Sequence, residues 1–265
     1  MRILSTLVGM AFMFGAPAHS QTLNDFKEGT HTFSGTTLQF RIFIPKNYQA
    51  SVKYPLVLFL HGAGERGSDN DKPVKDNPGA LIFARDSNQA KRPAFILAPQ
   101  CPSAPNQWVD VPWSKGNYAQ DKTPISNELR TVVDLLDSIN RAYSIDTNRL
   151  YAVGSSMGGF GTWDIVTRYP GKFAATIPVV GAGDPTKVKL IAHMGIWAHH
   201  GDADPTVPVS GSRNMMKALD SEGWKPYFTD CDFNACQGPA KAKVEDTISG
   251  RNPPRHIYSE YKGLD

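Results

Sequence analysis

Ser156 stands in a short segment whose glycines are spaced as a nucleophilic serine requires, Gly154-Ser155-Ser156-Met157-Gly158. A serine hydroxyl attacks a carbonyl group only when a base removes its proton and a rigid backbone presents it. A sharp turn between a strand and a helix presents it, but the crowding there requires small residues two before and two after the serine. This spacing selects Ser156 over its neighbour Ser155. Because the same pattern also occurs in Gly/Ser-rich loops without chemistry, the structural setting has to decide.

Two backbone amides are candidates for binding the negative oxygen that such an attack creates. Met157 follows the serine at the expected start of a helix, where its amide is aimed toward the reacting carbonyl. The second candidate is Ala63, in the small-residue loop His61-Gly62-Ala63-Gly64 after an apolar strand. His61 itself ends that interior strand, so we expect it to pack and to brace the loop rather than to act as a catalytic base.

An acidic loop later in the chain offers the carboxylate that would orient a histidine base. The segment HHGDADP, from His199 to Pro205, follows an expected strand, and the chain order serine, aspartate, histidine suits this kind of site. Asp204 is preferred because the prolines after it fix the loop, and Asp202 is the alternative. A metal site built from these residues is the rival interpretation, but His199 and His200 should point to opposite faces of their strand. We therefore expect no metal and no cofactor.

Strands and amphipathic helices alternate along the chain, which is typical of an α/β protein with a mainly parallel sheet and helices on both faces. The run Pro55–Leu60 is continuously apolar, as in a strand buried on both sides. Thr123 is the expected cap of a helix that begins at Pro124. Ser156 falls between an expected strand and an expected helix, which favours chemistry over a plain loop. The other strands are expected at 38–44, 95–98, 149–153, 174–180, 196–199 and 256–261, and the helices at 124–139, 160–169 and 212–219.

The composition is that of an ordinary globular protein, with 40% apolar residues, 20% charged residues and a net charge of +3 in 265 residues. The charges are scattered, which argues against a nucleic-acid partner. Residues 1–20 have a basic start, an apolar stretch and small residues before Gln21, the pattern of a secretory signal peptide. A membrane anchor is the alternative, but the apolar stretch is shorter than the roughly 20 residues that span a bilayer. We expect residues 21–265 to form one secreted or periplasmic domain without membrane contact.

Export also bears on the three cysteines. Cys231 and Cys236 lie close together in a loop-like stretch and could form a disulfide in an oxidising compartment. Cys101 follows an apolar strand, where we expect a buried and inert thiol.

Five segments, in order along the chain, resemble one group of α/β-hydrolase enzymes: FLHGAGERGSDN, LAPQCP, QWVDVPW, DTNRLYAVGSSMGGFGTWD and WAHHGDADPTVPV. The group is often described as predicted peptidases and is related to polyhydroxybutyrate-depolymerase-like and feruloyl-esterase-like secreted serine esterases. The resemblance implies an α/β-hydrolase fold with Ser156 as nucleophile and Asp204 as acid. It also implies that the amides of Ala63 and Met157 form the oxyanion hole.

The resemblance further implies hydrolysis of a carboxylic ester, either small or linked to a polymer, through an acyl-enzyme. A serine peptidase of the prolyl-oligopeptidase type uses the same machinery and is the first alternative. A non-catalytic binding module that kept the fold is the second alternative.

The end of the chain departs from this resemblance. In the group, the catalytic histidine follows the last strand, which here corresponds to residues 256–261, and the sequence ends at Asp265. His256 stands at the start of that strand, a strand length away from the required loop. We therefore expect the base immediately beyond Asp265, in a chain truncated before its last loop and helix, with His256 as the alternative. The polar stretch 231–254 is either an insertion near the site or a surface excursion.

Overall fold

The computed structural model describes residues 22–232 and 255–264. Within them, one sheet has the strand order β1-β2-β4-β3-β5-β6-β7-β9-β8. The strands are β1 Phe26–Phe33, β2 Thr36–Phe43, β3 Tyr54–Leu60, β4 Phe95–Gln100, β5 Ile145–Ser155, β6 Ala175–Val179, β7 Gly195–Gly201, β8 Tyr227–Asp232 and β9 His256–Lys262. The pairs β1–β2 and β2–β4 are antiparallel, whereas the remaining pairs are parallel. The expected α/β-hydrolase fold, with a mainly parallel sheet, is confirmed.

Helices cover both faces of this sheet. They are α1 Lys72–Lys75, α2 Pro78–Ala84, α3 Asp86–Lys91, α4 Asn127–Ala142, α5 Met157–Arg168 and α6 Ser210–Ser221. Buried side chains of α4, α5 and α6 belong to the larger apolar core, and those of α1 and α2 belong to the smaller one. None of the helices in the described part of the chain is long and apolar enough to cross a membrane.

Strand β3 shows why a continuous apolar run predicted an interior strand. Leu56, Leu58 and Leu60 point into the larger core, whereas Val57 and Phe59 point into the smaller core on the opposite face. Successive side chains of a strand alternate between faces, so a strand covered on both sides needs apolar residues at every position. This strand leads directly into the loop that carries Ala63.

The start of α4 differs from the expectation. The helix begins at Asn127, and Ser126 rather than Thr123 is its cap, because the Ser126 Oγ accepts a hydrogen bond of 3.1 Å from the Leu129 amide. The same hydroxyl donates to the Trp108 carbonyl oxygen at 2.7 Å. The cap is therefore chosen by a tertiary contact as well as by local sequence.

The strands β5, β6, β7 and β9 end at one edge of the sheet. Ser155 pairs with Val179, which pairs with His199, which in turn pairs with Ser259. Open α/β sheets bind ligands at the carboxyl ends of their parallel strands. The loops after these strands, including the turn at Ser156, therefore form the region in which to look for a site.

Candidate active site

Ser156 occupies a strained turn between β5 and α5. Its backbone has φ +54° and ψ −120°, in the half of conformational space that non-glycine residues rarely adopt. The turn is held by hydrogen bonds at both of its ends. The Ser156 amide donates to the Val179 carbonyl oxygen at 2.9 Å, and the Phe160 amide donates to the Ser156 carbonyl oxygen at 3.1 Å. This is the strand-to-helix turn that the glycine spacing predicts.

The flanking glycines are required by close backbone packing. A Cβ atom at Gly154 would lie 2.4 Å from the Gly158 carbonyl oxygen, and one at Gly158 would lie 1.9 Å from the Leu60 carbonyl oxygen. Neither distance is compatible with a side chain, and the obstructing atoms belong to the backbone. The glycine spacing around Ser156 is therefore required by backbone packing, and the segment is not a plain Gly/Ser-rich loop.

Ser155 is separated from its neighbour by the geometry of the strand. It is the last residue of β5, and its Oγ accepts a hydrogen bond of 3.2 Å from the Asn77 side chain, which caps α2. The hydroxyl is therefore directed toward a structural partner on the α2 face of the sheet. Asn77 was not anticipated from the sequence, although its position before Pro78 is typical of a helix cap.

The loop after β3 lies directly against Ser156. A Cβ atom at Gly62 would be 3.7 Å from the Ser156 Cβ and 3.6 Å from the Ser155 carbonyl oxygen. Ala63 follows and begins a single 3-10 turn, and Met157 is the first residue of α5, where helix amides point outward without helical partners. The structure thus places the segments of Ala63 and Met157, the two candidate oxyanion donors, at the turn of Ser156.

Arg66 braces this loop, a role that sequence reasoning missed. Its Nε donates to the Ala63 carbonyl oxygen at 3.0 Å, and its Nη1 donates to the Asn106 carbonyl oxygen at 3.2 Å. The guanidinium group also lies 5.7 Å from the centre of the Trp113 ring. One side chain therefore fixes Ala63 and ties it to the 106–113 segment. A charged residue three positions after Ala63 was the available signal, but its partners are distant in sequence.

His61 braces the same loop from the inside, as expected. It is fully buried, its Nδ1 donates to the Gly62 carbonyl oxygen at 2.6 Å, and its Nε2 accepts from the Cys101 amide at 2.9 Å. Burial lowers the pKa of His61 to about 4, so the ring is neutral near pH 7. With both ring nitrogens occupied, His61 is not available to take the proton of Ser156.

The acidic loop comprises residues 202–209, between β7 and α6, and lies at the same edge of the sheet. The Asp204 Oδ1 accepts hydrogen bonds of 2.8 Å each from the amides of Thr206 and Val207, which closes a tight turn. Asp202 is exposed, and its Oδ1 accepts from the Gly263 amide at 2.7 Å. Asp202 thus holds the end of β9, and this separate role favours Asp204 as the candidate acid.

A sequence model of the family described as putative esterase matches residues 31–227, which is most of the chain. The protein belongs to the putative esterase family.

Curated relatives of this chain are distant. Feruloyl esterase D of Neurospora crassa is 22% identical over 233 residues, which cover 87% of this chain and 71% of the relative. A bifunctional acetylxylan esterase/xylanase of Neocallimastix patriciarum is 25% identical over 215 residues, which cover 81% of this chain and 28% of the relative. A poly(3-hydroxyalkanoate) depolymerase C of Paucimonas lemoignei is 23% identical over 98% of this chain and 58% of its own.

One solved structure resembles the chain more closely. The crystal structure of a thermostable esterase has 34% sequence identity and a TM-score of 0.73, covering 91% of this chain and 55% of that chain. An acylaminoacyl peptidase has a TM-score of 0.57 at 13% identity, which shows the shared fold alone. The chain thus spans about half of the thermostable enzyme and less than a third of the acetylxylan esterase/xylanase.

His256 lies far from the turn at Ser156. It pairs with Ile196 at the start of β9, whereas Ser259, three residues later, is level with Ser155. Three residues of strand correspond to about 10 Å, directed away from the site edge. The ring is 2% exposed and packs edge-to-face against Trp224 at 5.8 Å. This position and burial argue against His256 as the base, the alternative that the sequence leaves open.

The residues after β9 pack against the acidic loop. The Ala203 amide donates to the Leu264 carbonyl oxygen at 3.2 Å, and a Cβ atom at Gly201 would lie 2.1 Å from that same oxygen. Leu264 thus lies beside the loop that carries Asp204. The base expected beyond Asp265 lies outside the described residues and stays a prediction.

The adjacent histidines of β7 point to opposite faces of the sheet, as their strand setting predicts. The His199 Nδ1 lies 2.9 Å from the Tyr261 Oη, whereas the His200 Nδ1 lies 2.7 Å from the Ser212 Oγ in α6. The two rings therefore do not converge on one ion. Over residues 22–232 and 255–264, no group of three or more His, Cys, Asp or Glu side chains is placed to hold a metal.

The cysteine predictions concern residues inside and outside the described part of the chain. Cys101 is a free cysteine and fully buried, as expected, and burial raises the pKa of its thiol. The pairing of Cys231 with Cys236, the stretch 233–254 and the signal peptide lie outside the described residues.

Proposed function

We propose that the protein is a secreted serine hydrolase that cleaves carboxylic esters through an acyl-enzyme on Ser156. The observation that carries this proposal is the strained backbone of Ser156, held between glycines that leave no space for a side chain. Backbone strain of this kind persists only where the surrounding structure enforces it, and it clusters at functional sites. Membership of the putative esterase family supports ester hydrolysis as the reaction.

In the proposed mechanism, the Ser156 Oγ attacks the ester carbonyl carbon while a histidine base takes the hydroxyl proton. The amides of Ala63 and Met157 donate hydrogen bonds to the resulting oxyanion. Collapse of the tetrahedral intermediate breaks the bond to the alcohol oxygen, which leaves with the proton from the histidine. Water then attacks the acyl-enzyme by the same steps in reverse, and releases the acid and free Ser156.

Asp204 supports the proposed base from the acidic loop. Its Oδ1 is bonded to two amides, which fixes the carboxyl group at the site edge of the sheet. A carboxylate so placed holds an imidazole in one tautomer and stabilises the imidazolium that forms during attack. The histidine is expected after β9, where Leu264 contacts Ala203 in the acidic loop.

Secretion is supported by the pattern of residues 1–20 and by one relative. A protein of Arthroderma benhamiae described as an uncharacterized secreted protein is 24% identical over 238 residues, covering 76% of this chain and 24% of its own. The expected cleavage after Ser20 can be tested by sequencing the N-terminus of protein collected from the medium or periplasm.

The test of the proposed activity uses the protein extended past Asp265, so that the expected histidine is included. Its hydrolysis of a short-chain nitrophenyl ester and of a chromogenic peptide is compared with that of two variants, one at Ser156 and one at the neighbouring Ser155. Ser156→Ala should lower ester hydrolysis by at least about a thousandfold. Ser155→Ala is the matched control and should stay within about threefold of the wild type, because its hydroxyl bonds to Asn77. Faster cleavage of the peptide than of the ester would favour the peptidase alternative. No hydrolysis of either substrate would favour the binding module.

A further inference from the structure

We propose that His200 is a positioning residue, which holds the acidic loop in the orientation that Asp204 needs to act on the base. This inference depends on the proposed function, because it assigns His200 a part in that same site. In the sequence alone, this histidine is only a candidate metal ligand. Its contacts in the structure give it a different role.

His200 sits at the carboxyl end of β7 and is 1% exposed. Its Nε2 lies 3.0 Å from the Val207 carbonyl oxygen, and its Nδ1 lies 2.7 Å from the Ser212 Oγ. Both ring nitrogens therefore have partners, one in the acidic loop and one in α6. A buried ring with two short hydrogen bonds has little freedom to turn.

Val207 connects this ring to the candidate acid. Its carbonyl oxygen bonds to His200, while its amide donates to the Asp204 Oδ1 at 2.8 Å. Val207 is itself 1% exposed. A single buried residue thus transmits the position of the imidazole to the carboxyl group of Asp204, and a shift of one requires a shift of the other.

Ser212 connects the His200 ring to α5, the helix that follows Ser156. The Ser212 Oγ lies 3.0 Å from the Gly181 carbonyl oxygen as well as 2.7 Å from the His200 Nδ1. Gly181 packs directly on Gly159, in the first turn of α5, since a Cβ atom at Gly181 would lie 2.4 Å from the Gly159 carbonyl carbon. The acidic loop is therefore connected, through His200, Ser212 and Gly181, to α5, the helix that begins next to Ser156.

The partners of His200 also determine its tautomer. A carbonyl oxygen only accepts hydrogen bonds, so the Nε2 that faces Val207 carries the proton. Burial lowers the pKa of His200, an effect that the Val207 carbonyl group, Asp204 and Glu260 oppose and Arg213 reinforces. In this tautomer Nδ1 carries no proton, and the single hydroxyl proton of Ser212 lies between two acceptors, the His200 Nδ1 at 2.7 Å and the Gly181 carbonyl oxygen at 3.0 Å. This tautomer can be observed directly by nitrogen NMR of the histidine rings.

The preceding histidine provides a matched control. His199 belongs to the same strand, and burial lowers its pKa to about 4, but it points to the opposite face and bonds to Tyr261. Among the described residues, no hydrogen bond joins the His199 side chain to Val207, Ser212 or Asp204. Substitution at His199 therefore perturbs the sheet without touching the proposed positioning network.

The experiment uses the full-length protein with His200→Asn, His200→Gln and His199→Asn, each active site counted with a fluorophosphonate. A glutamine amide can reach Val207 from the Nε2 position, whereas an asparagine amide reaches only the Nδ1 position. His200→Asn should lower kcat on a nitrophenyl ester by about tenfold or more with KM within about twofold. His200→Gln should recover most of that loss, and His199→Asn should keep kcat per labelled site within about twofold.

A double-mutant cycle with Asp204→Asn separates positioning from general destabilisation. Because His200 acts through Asp204, adding His200→Asn to Asp204→Asn should lower kcat by less than about twofold. Additive losses, an equal kcat loss in His199→Asn, or a proton on Nδ1 in the neutral ring would overturn the proposal. Wild-type protein that neither hydrolyses the ester nor reacts with the fluorophosphonate would instead contradict the proposed function.

Discussion

A side chain at Gly158 would begin 1.9 Å from the Leu60 carbonyl oxygen, so α5 and the end of β3 touch through their backbones. Leu60 is the last residue before the loop that carries Ala63, and Gly158 is the second residue of the helix that follows Ser156. The turn at Ser156 and the loop that carries Ala63 are thus fixed relative to each other by a contact between backbone atoms. Such a contact leaves little room for adjustment, and it makes several variants informative.

Replacement of Gly158 by alanine should be strongly destabilising. The new methyl group would meet the Leu60 backbone, which cannot move aside without displacing β3, so we expect a loss of at least about 3 kcal/mol in unfolding free energy. Urea unfolding followed by circular dichroism measures this. Gly171→Ala is the control, since no atom lies within 4 Å of its added Cβ, and it should stay within about 1 kcal/mol of the wild type. Similar stabilities of the two variants would contradict the packing argument.

Loss of Arg66 should impair catalysis more than binding. Without its hydrogen bonds to Ala63 and Asn106, the proposed oxyanion amide is free to drift, and a misplacement of about 1 Å costs up to about a hundredfold in rate. We expect Arg66→Ala to lower kcat by about tenfold or more on a nitrophenyl ester with a smaller change in KM. Arg141→Ala, on the exposed end of α4, is the control. An unchanged kcat in Arg66→Ala would remove Arg66 from the account.

The two aspartates of the acidic loop should behave differently. Asp204→Asn keeps the shape of the side chain but removes the charge that stabilises an imidazolium, so kcat should fall by a factor on the order of a thousand or more. Asp202→Asn affects only the contact with Gly263 and should lower kcat by less than about fivefold. Steady-state kinetics of the two variants on the same ester decide between them. The reverse order of effects would transfer the acid role to Asp202.

Much of the site could be predicted from the sequence because its constraints are local. The glycines around Ser156 and the small residues around Ala63 reflect backbone crowding, which a single segment reveals. Asn77 and Arg66 were missed because their partners, Ser155 and Asn106, lie far away in the chain. Their roles depend on tertiary contacts that spacing does not encode.

The missed elements of the fold have a similar explanation. Half of the positions of strand β1 are exposed and only Phe26 is buried, so the strand lacks the apolar alternation that marks a strand in sequence. Strand β8 lies at the other edge of the sheet and pairs only with β9 among the described strands. Thr123 looks like a helix cap because it precedes a proline, whereas the Trp108 carbonyl group that selects Ser126 is not visible in the local sequence.

Stability should fall when the pH is lowered from 7 to 5. Burial lowers the pKa values of His61, His199 and His256 to about 4, whereas the rings titrate near 6.5 in the unfolded chain. Between these values the unfolded state binds more protons, so each histidine removes up to about 1.4 kcal/mol of stability per pH unit. Urea midpoints at pH 7, 6 and 5 measure this, and His199→Asn should reduce the slope. Constant midpoints across this range would contradict the neutral buried rings.

The most direct test of the central claim is the site of covalent modification. Full-length protein is treated with a fluorophosphonate, digested and analysed by tandem mass spectrometry, with heat-unfolded protein and Ser156→Ala treated in parallel. The account predicts one adduct, on Ser156, that forms only in the folded wild-type protein. An adduct on Ser155 or another serine, or no adduct on folded protein that hydrolyses esters, would contradict it.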